Sequence, residues 1–295
     1  MKNRSTWILL LGFLSCFIGL IIYVVYRVAE PDVNFGRRIA LIELEGTIVD
    51  SRDIVRQFKK YRDDSSVEAI VFRIESPGGG ITPSQEIFDI VKKTKAAGKK
   101  IIVSMGSVAA SGGYYVACPA DTIVANPGTI TGSIGVIIQF PNVDKLLDKI
   151  GVDFTTIKSG AFKDILSPYR PMNPSESEWM QSFVMNAYGQ FVRAVADERG
   201  LDTAYVQQYA DGRVYTGEQA LQIKLIDVIG SYDDAIRLAA DMAGIEGTPN
   251  LVKEKKHKPS FFDLLFEEDA ESKIESALSI PGFKSYPVVS YKYGI

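Results

Sequence analysis

The sequence predicts an α/β fold with a largely parallel sheet, because strand-length apolar segments alternate with amphipathic helical segments along the chain. The 295 residues are 46% hydrophobic and 23% charged, which is enough apolar material for a packed core. Glycine and proline punctuate the alternation, most clearly in the run SPGGG at 76–80, which we interpret as a turn. Neither heptads nor low-complexity stretches interrupt it.

The first half of the predicted domain contains three strands separated by two helices. The strands are RIALIELEG (38–46), VEAIVFRIE (67–75) and KKIIVSMG (99–106). The helix at 53–61 is amphipathic, and a second helix begins at Thr82-Pro83, with proline at its first position, and runs to about Ala97.

The second half continues the alternation with shorter elements. We expect a helix after Ser111 that Pro119 ends, and a helix of about 25 residues that begins at Asn173-Pro174 and stops at Gly200. The other predicted elements are strands at 121–126, 133–140 and 152–160, a short helix capped by Asn142, a strand, helix and short strand within 214–230, and a closing helix at 232–244.

The chain divides into four predicted parts: an N-terminal anchor (1–28), a linker (29–37), the α/β domain (38–250) and a C-terminal segment (251–295). In the last part, LVKEKKHK is a charged strand or linker and SFFDLLFEED is a short amphipathic helix. The residues from Ile280 onward form an extended aromatic tail. We interpret this tail as a strand or arm that packs on a neighbour, with a regulatory role as the alternative.

The N-terminus contains a run from Trp7 to Tyr26 without a charged residue. A helix of about 20 apolar residues spans the roughly 30 Å core of a bilayer, and aromatic residues lie near both ends of this one. The run therefore predicts a transmembrane helix. A cleaved signal peptide is the competing interpretation, although no A-x-A site follows the run. The flanking charges do not decide the orientation.

Ser111 lies in the small-residue run SVAASGGYYVACP, between a predicted strand and a predicted helix. Its hydroxyl would lie at a helix N-terminus, which favours developing negative charge, and Gly112 and Gly113 let a substrate approach the backbone. The pattern is typical of a nucleophile, and an ordinary Ser-Gly-Gly turn is the alternative. The only histidine of the chain, His257, lies far away in the solvated run KEKKHK, so another base is needed.

Lys163, in KSGAFKDIL, is the candidate base. A lysine accepts a proton only when it is neutral, so its pKa must fall well below the usual value of about 10.4, as burial achieves. Apolar neighbours such as Phe162 and Ile165 fit a buried site, and a surface lysine is the alternative. Activity should then rise with pH.

Two further motifs fit the same chemistry. The N–H groups of Gly78, in SPGG, and Gly112 could together form an oxyanion hole, although SPGG is also an ordinary tight turn. Ser133, in TITGSIGV, could orient a neutral lysine, and otherwise it is a serine at a strand edge.

Taken together, the order SPGG, SVAASGGYYVA, TGSIG, SGAFKD and GRVYTGEQAL…LID resembles the signal peptide peptidase A family (peptidase family S49) in its short, single-repeat form. The resemblance covers about residues 38–245. It implies a ClpP/crotonase-like spiral of β-β-α units, and by position it makes Ser111 the nucleophile, Lys163 the general base and Ser133 the residue that holds the lysine. Gly78 and Gly112 resemble the oxyanion donors. Lys224 departs from the family pattern, which has glycine there.

The resemblance also implies a serine endopeptidase anchored in the plasma membrane by a single span, with a cytoplasmic N-terminus and an extracytoplasmic catalytic domain. Its partners would be cleaved signal peptides and other short apolar peptides, the lipid bilayer, and further copies of the chain in a ring or dome. Whether Ser111 and Lys163 pair within or between subunits stays open. A crotonase-type acyl-CoA enzyme and a non-enzymatic scaffold are the rival functions.

Composition and motifs narrow the ligands further. The net charge of −3 gives no reason to expect nucleic acid as a partner. We find no metal-binding motif, no Walker lysine loop and no G-x-G-x-x-G after a first strand, so we expect no cofactor.

Overall fold

The computed structural model describes Ser15 and residues 17–20, 37–254 and 289–292. The chain forms two units, Met1–Arg37 and Arg38–Ile295. In the first unit, Ser15 and residues 17–20 are helical. No helix within the described residues is long and apolar enough to cross a membrane, and most of the predicted span from Trp7 to Tyr26 lies outside those residues.

The second unit is an α/β domain around a mostly parallel sheet, as predicted. Its strands are β1 (Arg38–Glu45), β2 (Val67–Ser76), β3 (Gly78–Gly80), β4 (Lys100–Ala110), β5 (Thr122–Ala125), β6 (Ile130–Gly132), β7 (Ile137–Ile138), β8 (Val214–Tyr215), β9 (Val228–Ile229), β10 (Asn250–Lys253) and β11 (Val289–Lys292). The main sheet has the order β10-β1-β2-β4-β5-β9, and all of these neighbours are parallel. Strand β6 pairs with the end of β4, and β8 pairs antiparallel with β6.

Helices cover both faces of the sheet. They are α1 (Arg52–Asp63), α2 (Ile81–Ala96), α3 (Gly112–Ala117), α4 (Asp144–Ile150), α5 (Pro174–Arg199), α6 (Thr203–Tyr209), α7 (Gly217–Gln222) and α8 (Tyr232–Ala243). Most agree with the predicted helices to within a few residues, although α2 begins at Ile81 rather than beyond Thr82, and α6 was not predicted.

The three central strands, β1, β2 and β4, are buried on both faces of the sheet. Successive residues of each strand point to opposite faces, and those on both faces are mostly apolar. Ile42, Phe72 and Val103 lie opposite one another in register and belong to the larger core, which is covered by α1, α2 and α3. The residues between them face the other way, where Ala235 and Ala239 of α8 let that helix pack closely. This explains why the central strands read as continuous apolar runs.

Three predicted elements differ from the structure. Residues 152–160, predicted as a strand, have no regular structure and are exposed, since no neighbouring strand pairs with them. Only Ile137–Ile138 of the predicted strand 133–140 is a strand. The glycines at 78–80, predicted as a turn, form β3, because Ile48 and the strand β11 supply backbone partners.

Strand β4 is longer than predicted and this sets the position of the site. It continues past Gly106 to Ala110, because β6 pairs with Val108, Ala109 and Ala110. Ser111 therefore follows the strand directly, with no loop in between. At one edge of the sheet, β10 runs from Asn250 to Lys253 and pairs with β1.

Lys224 has φ 63°, a left-handed conformation that glycine adopts most readily, which fits the glycine that the resemblance leads us to expect at this position. The residue follows α7, and Leu225 donates a hydrogen bond back to Ala220 O at 2.8 Å. This arrangement is a glycine-type helix end occupied by a lysine.

We expect Lys224→Gly to raise the free energy of unfolding by about 0.5–1 kcal/mol, because glycine adopts this conformation without the steric cost. Thermal unfolding measures the effect, with Lys224→Ala as the control that keeps a Cβ atom. Equal or lower stability of the glycine variant would show that the backbone here is unstrained.

Candidate active site

Ser111 lies between the end of β4 and the start of α3, in a strained backbone conformation with φ 54° and ψ −118°. A non-glycine residue in such a conformation costs about 1–3 kcal/mol, and such strain clusters at functional sites. The Ser111 N–H is held by Gly132 O at 2.8 Å, and the side chain is 1% exposed. Its hydroxyl has no hydrogen-bond partner among the described residues.

Gly112 and Gly113 pack so closely against β3 and the end of β2 that neither position has room for a side chain. A Cβ atom on Gly112 would lie 2.8 Å from Ser84 Oγ and 3.1 Å from Gly79 N. A Cβ atom on Gly113 would lie 2.7 Å from Ser76 O. The structure thus brings the SPGG segment against the backbone of Gly112.

The Gly78 N–H donates to the hydroxyl of Ser76 at 3.1 Å. To bind an oxyanion, this N–H would have to give up its hydrogen bond to Ser76. The amide nitrogen of its neighbour Gly79, which the sequence did not single out, lies 3.1 Å from the place that a Cβ atom on Gly112 would take. The Gly80 N–H donates a hydrogen bond to Ile48 O at 2.8 Å and is therefore not free to bind an oxyanion. The role of Gly78 as an oxyanion donor stays a prediction.

Ser133 is the next residue after Gly132, whose carbonyl holds Ser111. It also has a positive φ, 52°, and its N–H donates to Arg213 O at 2.9 Å. The side chain is buried. The pairing of β6 with β4 therefore places Ser133 beside Ser111, which sequence spacing alone could not establish.

Lys163 lies in a series of turns between α4 and α5. Its side chain is exposed, and its amino group makes no hydrogen bond or salt bridge to any residue that the structure describes. Because the Ser111 hydroxyl is also without a partner there, the two groups are not hydrogen-bonded in the isolated chain. The base role of Lys163 therefore stays a prediction.

The other lysine of this segment, Lys158, has hydrogen-bond partners for its amino group. Its Nζ lies 2.5 Å from the Asp164 carboxylate and 3.0 Å from Ala161 O. Of the two lysines in KSGAFKD, only Lys163 therefore has an amino group without a hydrogen bond or salt bridge to the described residues.

An extended segment already occupies the groove beside Ser111. Strand β11, from the C-terminal tail, lies between β3 and β7 and pairs antiparallel with both. Ser290 lies opposite Gly80, Tyr291 opposite Gly79 and Lys292 opposite Gly78. The predicted helix within 260–269 and His257 lie outside the described residues. An edge that accepts a peptide strand next to a buried, unpaired serine hydroxyl can bind and cleave peptides.

Comparisons with known proteins agree with this chemistry. The model of peptidase family S49 matches residues 93–246, and that of Clp protease matches residues 35–127. The chain is 43% identical to a candidate protease of Synechocystis sp., over 71% of this chain and 76% of that protein. It is 38% identical to a candidate signal peptide peptidase SppA of Enterococcus faecium, over 74% and 68% of the two chains.

More distant matches fit the same picture. Protease 4 of Salmonella typhi is 36% identical over 76% of this chain, which corresponds to 37% of the length of that protein. A solved structure of a mutant of 1510-N, a membrane-bound stomatin-specific protease, matches with a TM-score of 0.50 at 15% identity, covering 75% of this chain and 99% of that one. This likeness shows the fold alone.

The strained serine at the end of a parallel strand, its glycine-lined groove and the extent of these matches lead to one assignment. The chain belongs to peptidase family S49, the serine proteases related to SppA, and it has a ClpP-like α/β fold.

Proposed function

We propose that this serine protease is a membrane-anchored endopeptidase that degrades remnant signal peptides after their release from preproteins. The observation that carries the proposal is the pairing of β11 with β3 and β7, because it supports an extended peptide as the ligand of the groove. Backbone pairing binds peptides with little regard to sequence, which suits a degradative enzyme. The anchor itself rests on the apolar run from Trp7 to Tyr26.

The proposed mechanism uses the residues singled out above. Neutral Lys163 takes the proton of Ser111 while the serine oxygen attacks the scissile carbonyl carbon, and the N–H groups of Gly78 and Gly112 hold the oxyanion. The protonated Lys163 then gives its proton to the leaving amine. Water attacks the acyl-enzyme with Lys163 again as the base, and this restores Ser111. Ser133 holds the lysine amine in place.

Lys163 must be covered before it can act in this way, and the exposed apolar residues around it supply the means. Ile157 is 97% exposed and Trp179 is 61% exposed, and Phe154 stacks on Tyr169 at 4.0 Å without covering either ring fully. Such a large exposed apolar surface is typical of a protein interface. We propose that further copies of the chain cover it in a ring or dome and place Lys163 against a serine nucleophile.

Truncation of the tail tests the groove directly. The full chain lacking residues 280–295, in detergent, is expected to cleave a released signal peptide several-fold faster than the intact chain, because β11 no longer competes for β3 and β7. The measurement is the initial rate, with an added synthetic peptide of sequence 280–295 as the control that should lower it again.

The substrate class is tested in the same assay. The released signal peptide should be cleaved, and the same sequence still attached to its preprotein should be cleaved much more slowly. Equal rates for both, or no effect of truncation, would contradict the proposal. Binding of coenzyme A in calorimetry would favour the acyl-CoA alternative.

A further inference from the structure

The segment that carries Lys163, residues 151–173, has no packed core of its own. Its side chains are exposed or half-buried, and its backbone forms no helix or strand. Residues 161–166 form turns, in which the Lys163 N–H donates to Gly160 O at 3.2 Å. Hydrophobic burial therefore does little to fix the position of Lys163. Some other interaction must hold the segment in a defined geometry if the lysine is to meet a serine hydroxyl.

Arg170 supplies such an interaction through two carboxylates. Its Nε and Nη2 lie 2.9 and 2.7 Å from the two oxygens of Asp164, the residue next to Lys163. Its Nη1 and Nη2 lie 2.8 and 2.6 Å from the two oxygens of Glu176. The planar guanidinium is thus bidentate on both sides, a geometry that an ammonium group cannot reproduce.

Glu176 connects this pair to the rigid part of the domain. Its side chain is 1% exposed, and it closes the capping box of α5, with the Asn173 N–H donating to it at 2.9 Å. Farther along the same helix, Phe191 and Val195 are fully buried in the core. The chain of contacts therefore runs from the core through α5 and Arg170 to Asp164.

We propose that Arg170 is a positioning residue for the base: its guanidinium fixes the backbone at Asp164 relative to Glu176 and so fixes the adjacent Lys163. The inference rests on the proposed role of Lys163. It assigns to Arg170 and its two carboxylates a function in the reaction, beyond holding the fold together.

The charges of this network persist over the working pH range. The guanidinium of Arg170 holds the pKa of Asp164 well below its usual range, and lowers the pKa of Glu176 to about 2. Because both pKa values are depressed, the link is present at neutral pH and is lost only as the pH falls towards those values. Neutral and alkaline conditions, where a lysine base works, leave it intact.

The test uses the full chain in detergent with a peptide substrate, and compares Arg170→Gln and Arg170→Lys with the wild type. We expect Arg170→Gln to lower kcat by roughly 10- to 100-fold with KM changed less than about threefold, because a misplaced base slows chemistry and leaves the peptide groove unchanged. The kcat of Arg170→Lys should be only slightly higher than that of Arg170→Gln. Lysine keeps the positive charge but cannot reproduce the bidentate geometry of the guanidinium. Arg237→Gln, which removes an exposed ion pair to Asp234, is the matched control and should keep wild-type kcat.

A double-mutant cycle separates positioning from general damage. Asp164→Asn should lower kcat to a similar extent, and the double variant should be no slower than the worse single variant, since both changes break the same contact. Hydrogen exchange of the amides in 158–169 should become faster, while exchange in β1, β2 and β4 stays the same.

If Arg170→Gln unfolds, Glu176→Gln replaces it, because glutamine keeps the capping box and removes the charge that faces Arg170. Wild-type kcat in Arg170→Lys or in Glu176→Gln, or additive losses in the cycle, would overturn the positioning role. Full activity of Lys163→Ala would instead refute the base that Arg170 is proposed to position.

Discussion

The Ser111→Ala variant is expected to lose at least about 10³-fold in kcat, since removal of the nucleophile leaves only binding and oxyanion contacts. A structural role of the Ser111 hydroxyl would not explain such a loss. Its hydroxyl makes no hydrogen bond within the described chain, so the substitution leaves no buried group unpaired. Fold and stability should therefore be unchanged, which melting temperature and gel filtration would show.

Ser107→Ala is the matched control for this variant. Ser107 lies in the same strand, β4, with an exposed side chain, and its replacement should leave kcat at the wild-type value. Wild-type activity in Ser111→Ala would contradict the assignment of the nucleophile. A loss shared by both variants would point to damage of β4 instead.

The Lys163→Ala variant is expected to lose about 10²–10⁴-fold in kcat, the usual contribution of a general base. Because Lys163 is exposed in the isolated chain and contacts no described residue through its amino group, its replacement cannot unfold the domain by removing a contact there. Kinetics with a peptide substrate measure the effect. Lys149→Ala, at an exposed position of α4, is the control and should remain fully active.

A further comparison distinguishes the base from its neighbour. Lys158→Ala removes the salt bridge to Asp164 and should lower kcat much less than Lys163→Ala does, because Arg170 still binds that carboxylate. If Lys158→Ala were inactive and Lys163→Ala active, the base would be assigned to the wrong lysine.

The sequence predicted the central part of the domain well because its signals there are local. Apolar runs bounded by turns correspond to β1, β2 and β5, and capping motifs such as that at Asn173 mark the long helix α5. These features depend on residues a few positions apart, and tertiary structure does not override them.

Features that depend on distant pairing were not predictable in this way. Strand β4 extends to Ala110 only because β6 lies beside it, and the glycines of β3 become a strand only because Ile48 and β11 pair with them. Conversely, residues 152–160 have strand-like composition but no partner, so they remain irregular. In each case the presence or absence of a neighbouring strand decides the outcome.

The candidate site shows the same division. Ser111, Gly112, Ser133 and Gly78 are brought together by β3, β4 and β6, and the sequence had singled out all four. Gly79, which lies close to Gly112, and the Arg170 network on the Lys163 segment are features that no short motif reveals. Lys163 lies on a segment that is exposed within the described residues, and sequence spacing does not show what covers it.

Covalent labelling by a fluorophosphonate, followed by mass spectrometry of the intact chain in detergent, tests the Ser/Lys mechanism most directly. We expect one adduct per wild-type chain, located on Ser111, at a rate that rises with pH. We expect no adduct in Ser111→Ala and labelling at least about 10²-fold slower in Lys163→Ala. An adduct on another residue, or equally fast labelling of the Lys163→Ala variant, would contradict this mechanism.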